Sequence, residues 1–180
     1  MVNIIKVIEL FAGIGSQAMA LRNIKADYEV IGISEIDKFA VASYNAIHGE
    51  ARNFGDITKI KELPNCDLMT YSFPCQSLST AGKQEGIKEG TESGLLLEVK
   101  RLLKIGKEKG KLPRWLLLEN VKNLVSKKFM PQFQEWLDFL ESIGYDTKWK
   151  VLNAKDFGVP QNRERVFAVS CLKKNSFEFP

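Results

Sequence analysis

The side chains able to do chemistry fall in a definite order along this 180-residue chain. Cys75 follows a proline at the end of an apolar run, "YSFPCQ". A thiol becomes a strong nucleophile once its pKa is lowered; buried among apolar groups it is inert. Glu119 and Asn120 close a second apolar run, "LLLENV", and Gln161, Arg163 and Arg165 precede a third, "RVFAVSCL". A carboxyl group beside the thiol could protonate a ring nitrogen, and two arginines could hold a carbonyl oxygen or phosphates. A thiolate attacking C6 of a pyrimidine needs that help, because a proton on N3 and a clamp on O2 make the ring electrophilic. Each residue also has a plainer reading. Cys75 could be a small residue in a tight turn, Glu119 could cap a helix, and "RER" could be a solvated charge run. The single histidine, His48, ends a different segment far from Cys75 in the pattern, which argues against a Cys–His hydrolase.

A second group of residues points to a ribose-bearing ligand. In "FAGIGSQA", Gly13, Gly15 and Ala18 fit G-x-G-x-x-A between a strand-like and a helix-like run. Glycines there permit a tight turn and let a ligand approach the backbone. Glu35 follows about twenty residues on, where a carboxylate can accept from ribose hydroxyls. Asp56, in "GDIT", could accept from an adenine amino group or cap a helix. These residues do not choose between a dinucleotide, whose pyrophosphate sits on a helix N-terminus, and S-adenosylmethionine, which brings an adenosine and a cationic sulfonium.

The elements that must position these groups alternate. "NIIKVIEL", "YEVIGISE", "CDLMTYSF", "RWLLLENV" and "RVFAVSCL" read as strands, and "YDTKWKVLN" alternates weakly. "SQAMALRNI", "DKFAVASYNAIHG", "GLLLEVKRLLKIGKEKGK" and "MPQFQEWLDFLESIG" read as helices; Gly144 stops the last. Strands alternating with helices imply a doubly wound, mostly parallel α/β sheet, which binds ligands outside the carboxyl ends of its strands. Every candidate residue falls in such a place. The polar stretch from Gln76 to Ser93 is long for a connection, the kind usually functional or mobile, and its lysines and hydroxyls suit phosphate contact.

Composition excludes little. With 44% hydrophobic and 27% charged residues and a net charge of +4, the chain is an ordinary soluble domain that permits an anionic partner. No apolar run is long enough for a membrane span. Three cysteines and one histidine make neither a disulfide framework nor a metal site, so no metal and a reducing cytoplasm are expected. Trp115, Trp136 and Trp149 are expected in the core, and Cys66 and Cys171 as buried bystanders.

Taken together, these motifs resemble those of the DNA (cytosine-5) methyltransferases. "FAGIGS" is similar to that family's first cofactor motif, "FPCQ" to its Pro-Cys motif, "ENV" to the motif supplying the acid, and "QNRER" to its Gln-x-Arg-x-Arg motif. The resemblance implies a Rossmann-like methyltransferase fold with an antiparallel last strand. It implies S-adenosylmethionine as cofactor and S-adenosylhomocysteine as product, held by Phe11, Ala12, Gly13, Ile14, Gly15, Glu35, Ile36, Asp56, Ile57 and Pro74. It implies that Cys75 adds to C6 of a cytosine flipped from duplex DNA. Glu119 would protonate N3, Asn120 would position Glu119 and nearby backbone, Arg165 would contact the base carbonyl, and Arg163 a phosphate or the loop. Gln76, Ser77, Ser79, Lys83 and Gln161 would face DNA.

Two features depart from the family pattern. Ser72 stands where glycine is usual, and the chain reaches "CLKKNSFEFP" without the target-recognition domain and last motifs of single-chain members. The expectation is one catalytic domain over residues 1–180, bacterial or phage-encoded, acting as a subunit beside a second chain or as a truncated form. The alternatives are an inactive remnant, a regulatory nucleic-acid-binding module, and a tRNA cytosine-5 methyltransferase. A nicotinamide dehydrogenase leaves Cys75, Glu119 and the arginines unexplained.

Overall fold

A computed structural model describes residues 4–76, 86–88, 90–173 and 177–180. Its six strands are β1 (Ile5–Leu10), β2 (Tyr28–Ser34), β3 (Leu68–Tyr71), β4 (Trp115–Val121), β5 (Tyr145–Asn153) and β6 (Glu164–Leu172). They follow the order β2-β1-β3-β4-β6-β5 in a mixed sheet. The helices are α1 (Ser16–Asn23), α2 (Lys38–His48), α3 (Leu96–Glu108) and α4 (Met130–Ser142), with short 3-10 turns between elements. None of the described helices is long and apolar enough to cross a membrane. Contacts divide the chain into two compact units: Met1–Ser72 with Glu98–Trp115, and Phe73–Leu97 with Leu116–Pro180.

In the first unit β1 pairs in parallel with β2 and with β3, so it is flanked on both edges. Its Val7, Ile8 and Leu10 are all buried, as in an interior strand. The Asp37 side chain accepts from the backbone N–H groups of Phe39 and Ala40 and starts α2; Gly49, at φ 87°, ends it. Val99, Leu102 and Leu103 of α3 are buried, the apolar face expected from their spacing.

In the second unit β5 and β6 pair antiparallel from Tyr145 opposite Leu172 to Asn153 opposite Glu164. Helix α4 buries Phe133, Trp136, Phe139 and Leu140, and Gly144 follows it at φ 104°. Trp149 departs from expectation. It lies on β5, is 38% exposed, and meets the Phe133 ring edge-on with centroids 5.7 Å apart. β5 is the edge strand of the sheet, and Lys148, Trp149 and Lys150 in its middle are all exposed.

Candidate active site

In the first unit the chain turns sharply out of β1. Phe11, Gly13 and Gly15 all have positive φ, at 57°, 54° and 77°. Glu35, directly after β2, holds this turn: its Oε2 accepts from Gly13 N at 2.9 Å, and its Oε1 from Ile36 N and Asp37 N at 2.8 and 2.9 Å. Nothing lies within 4 Å of a Cβ built on Gly13, so that side of the turn is open. Gly15 is the opposite case: a Cβ there would lie 2.4 Å from His48 Nε2 and 2.6 Å from the Tyr44 ring. Ile36 is 76% exposed, and Ile14 and Phe39 are also exposed. Ala12 and Ile57 are buried, so their side chains belong to the core, Ala12 packing with Ile33 and Tyr44.

Asp56 caps a helix. Its Oδ1 accepts from Thr58 N and Oγ1 at 2.9 and 2.8 Å, at the start of the 3-10 helix Ile57–Lys59. These bonds, with Lys59 nearby, hold its carboxyl below the usual range. The serine in the glycine position is also engaged: Ser72 Oγ accepts from Gln17 Nε2 of α1 at 3.0 Å.

Sequence reasoning missed Glu9. It sits in β1 at 0% exposure, its Oε1 accepting from Ala18 N at 3.0 Å and its Oε2 from the Tyr44 hydroxyl at 2.5 Å. Helix α1 has a glycine at its N-cap and no side-chain cap of its own. The Glu9 carboxylate supplies one from the neighbouring strand, at the end of the helix that favours negative charge. Burial pushes its carboxyl pKa up, while both bonds and the nearby His48 pull it down. His48 packs against the glycine turn that follows β1. Its ring rests on Tyr44 with centroids 4.5 Å apart, and its Nε2 lies 3.1 Å from the Ile14 carbonyl oxygen. One signal was available: a carboxylate in a strand that is apolar on both faces must find buried donors.

In the second unit Cys75 follows β3 and is half-buried. Cys66 and Cys171 are buried, and burial pushes the Cys66 thiol up to about 12, with Asp67 adding to the shift. Asn120 is buried; its Nδ2 donates to the Phe73 carbonyl oxygen at 3.0 Å and its Oδ1 accepts from Val121 N at 2.9 Å. Glu119 Oε1 lies 3.2 Å from Arg165 Nε, with both side chains about a quarter exposed, at 24% and 23%. Arg165 Nη1 also donates to the Glu164 carbonyl oxygen at 2.8 Å. Arg163 is exposed, its backbone N–H donating to Asn153 Oδ1 at 3.0 Å. A cavity of about 300 Å³ is lined by Glu119, Arg163, Arg165, Leu152, Phe157 and Phe167. Gln76 and Gln161 are exposed, Pro74 is half-buried, and Ser77, Ser79 and Lys83 lie outside the described residues.

Parallel strands alternating with helices, a glycine turn after the first strand and an antiparallel final pair define an α/β fold of the methyltransferase type. Solved structures agree. The S. pombe Dnmt2 methyltransferase superposes with a TM-score of 0.77 at 24% identity, over 97% of this chain and 52% of that one. The Entamoeba histolytica methyltransferase EhMeth gives 0.78 at 22%, over 99% and 56%. At sequence level, residues 5–180 match the model of the C-5 cytosine-specific DNA methylases, and the chain belongs to that family. The type II methyltransferase M2.ScrFI of Lactococcus lactis subsp. cremoris is 38% identical over 98% of this chain and 64% of its own length. The orphan methyltransferase M.Rho11sI of Bacillus phage rho11s is 42% identical over 92% and 32%. The chain thus spans about a third to two thirds of these relatives' lengths.

Proposed function

We propose that this chain carries the chemistry of methyl transfer to C5 of cytosine in DNA, with Cys75 as nucleophile. The observation that carries the reading is the Glu119–Arg165 pair, held at 3.2 Å and partly exposed. N3 of cytosine and the carbonyl oxygen O2 on the adjacent C2 are neighbouring acceptors on one edge of the base, so an acid and a guanidinium side by side match them in spacing and in charge.

The residues divide the work as follows. The Cys75 thiolate forms a bond to C6, and the C5–C6 π pair moves onto C5. Protonated Glu119 donates to N3, and Arg165 bonds O2, which lowers the cost of the charge arriving on the ring. Asn120, fixed between Phe73 and Val121, positions the strand end that carries Glu119. Bound S-adenosylmethionine supplies an electrophilic methyl group and leaves as S-adenosylhomocysteine. A base then removes the C5 proton, the ring double bond re-forms and Cys75 departs as thiolate.

The first unit suits that cofactor. The Glu35 carboxylate, with three of its acceptor sites taken by backbone N–H groups, keeps one on Oε2 for a ribose hydroxyl, exposed Ile36 offers an adenine an apolar face, and the open side of Gly13 admits a ligand to the backbone. Phe11, Ala12, Ile14, Gly15 and Ile57 shape the turn and the core beneath it. Asp56 accepts from the adenine amino group with the oxygen its cap leaves less engaged. Arg163, Gln76 and Gln161 are the exposed groups for the DNA backbone. Protein corresponding to the unmatched length of the relatives, in this polypeptide or a second chain, supplies base-reading contacts. The bacterial and phage relatives favour a cytoplasmic setting.

Covalent trapping on a duplex containing 5-fluorocytosine tests the proposal. An adduct that needs S-adenosylmethionine, survives denaturation and disappears in Cys75→Ser is the expected result. Competition between duplex DNA and tRNA identifies the preferred substrate. An adduct that persists in Cys75→Ser, or no adduct with any C-terminal partner added, overturns it.

A further inference from the structure

Two consecutive carbonyl groups precede Cys75, and buried side chains hold both. Asn120 takes the Phe73 oxygen, and Ser93 Oγ donates to the Pro74 oxygen at 2.9 Å, from nineteen residues further along the chain. Proline has no N–H, so its carbonyl is the one backbone group through which residue 74 can be anchored. That carbonyl belongs to the planar Pro74–Cys75 peptide, so holding the oxygen fixes the plane from which the Cys75 side chain departs.

Ser93 is itself fixed. It is 0% exposed and lies in the 3-10 helix Glu92–Leu95. Thr91 Oγ1 caps that helix by accepting from Gly94 N at 3.0 Å. A Cβ at position 94 would fall 1.8 Å from the Lys88 carbonyl oxygen, so the backbone closes tightly around this turn. A buried hydroxyl with one acceptor, held by a capped turn, directs the peptide that carries the candidate nucleophile. We infer that Ser93 is a positioning residue for Cys75, its hydroxyl setting the Pro74–Cys75 peptide plane and so the direction of the thiol. The inference rests on the reading of Cys75 as nucleophile.

Three variants of the full chain test it: Ser93→Ala, Ser93→Val and Ser93→Thr. Valine and threonine have nearly the same shape, so they share any packing cost and differ in the hydroxyl. One readout is the alkylation rate of Cys75 by iodoacetamide, which needs no methyl transfer; Cys66 and Cys171 are buried. The other is adduct formation on the 5-fluorocytosine duplex, at saturating and at limiting DNA. Ser93→Ala and Ser93→Val are expected to alkylate about fivefold faster, the factor carried by one ordinary hydrogen bond. Their adduct rate at saturation falls roughly 10- to 100-fold, as for a misplaced reacting group, while half-saturating DNA is unchanged. Ser93→Thr stays near the parent in both. Equal behaviour of the valine and threonine variants in both readouts overturns the inference. If the parent forms no adduct, the functional reading fails, and the alkylation comparison still decides whether Ser93 directs the thiol.

Discussion

Tyr44→Phe removes one oxygen from the interior and should reveal the charge it serves. Glu9 is 0% exposed and has two donors, Ala18 N and the Tyr44 hydroxyl. Burial, with Glu9 alongside, pushes the Tyr44 hydroxyl far above its ordinary range, so it remains a donor across the working pH range. A hydrogen bond to a charged group contributes about 1.5–3 kcal/mol. Losing about 2 kcal/mol lowers Tm by roughly 4–8 °C in a domain of this size. In a Glu9→Gln background the same change removes a bond between neutral groups, at about 0.5–1.5 kcal/mol. The double-mutant cycle should therefore return a coupling of about 1 kcal/mol.

The pH dependence has a definite sign. Burial raises the folded pKa of Glu9 above its unfolded value, and the Tyr44 bond opposes that rise. Deleting the hydroxyl raises the folded pKa further. The variant then trails the parent only by the neutral bond, about 0.5–1.5 kcal/mol, where Glu9 is protonated in both, and falls further behind as pH rises through the parent's folded pKa. Urea unfolding across a pH series measures this directly. A stability difference that is flat with pH, or below about 0.5 kcal/mol throughout, would refute an ionised Glu9 held by two donors.

Three further outcomes follow from the same geometry. Gly15→Ala places a methyl group 2.4 Å from His48 at φ 77°, and should cost about 2–5 kcal/mol in urea unfolding, from left-handed strain and overpacking together; calorimetry should also find weaker S-adenosylmethionine binding. Glu119→Gln keeps a partner for Arg165 but has no acidic proton for N3, so adduct formation should slow by about 10²–10⁴ while duplex affinity holds. The depressed carboxyl of Asp56 contributes stability above its unfolded pKa, lost as pH falls through the lower folded value; Asp56→Asn should shrink the loss of Tm below about pH 4.

Most of the strands and helices were legible because each apolar run or helical face had one place to be buried. Leu96, Val99, Leu102 and Leu103 show this: their spacing alone puts them on one face, and all are buried. The candidate reacting groups were legible for a different reason. Cys75, Glu119 and Arg165 each had a plainer reading by type alone, and it was the order of the motifs around them that marked them as candidates. What the sequence hid were the supports. Glu9 sits inside an apolar strand and answers to Tyr44, 35 residues away; Ser93 is one hydroxyl among many in a polar stretch and answers to Pro74. Such pairs have no local pattern, because they depend on which backbone groups the fold leaves to be satisfied. Trp149 failed the core expectation for the same cause: aromatic type says nothing about being on the outermost strand.

The supports share one construction. Glu35 holds Gly13 N, Glu9 holds Ala18 N, Asn120 holds the Phe73 oxygen and Ser93 holds the Pro74 oxygen. In each, a side chain distant in sequence fixes one peptide group in the segment that carries a candidate binding or reacting residue. Turns with positive φ and an X-Pro-Cys step have few regular backbone bonds to hold them, so side chains replace the ladder. The replacement has a consequence for how variation should act. Losing a support leaves the reacting group present but free to rotate, and the cost then appears in the rate at saturation more than in affinity. Losing a reacting group removes its own share of the chemical step. Substitutions at Ser93 and Asn120 should therefore leave duplex binding intact while lowering turnover, whereas exposed Arg163 should do the reverse.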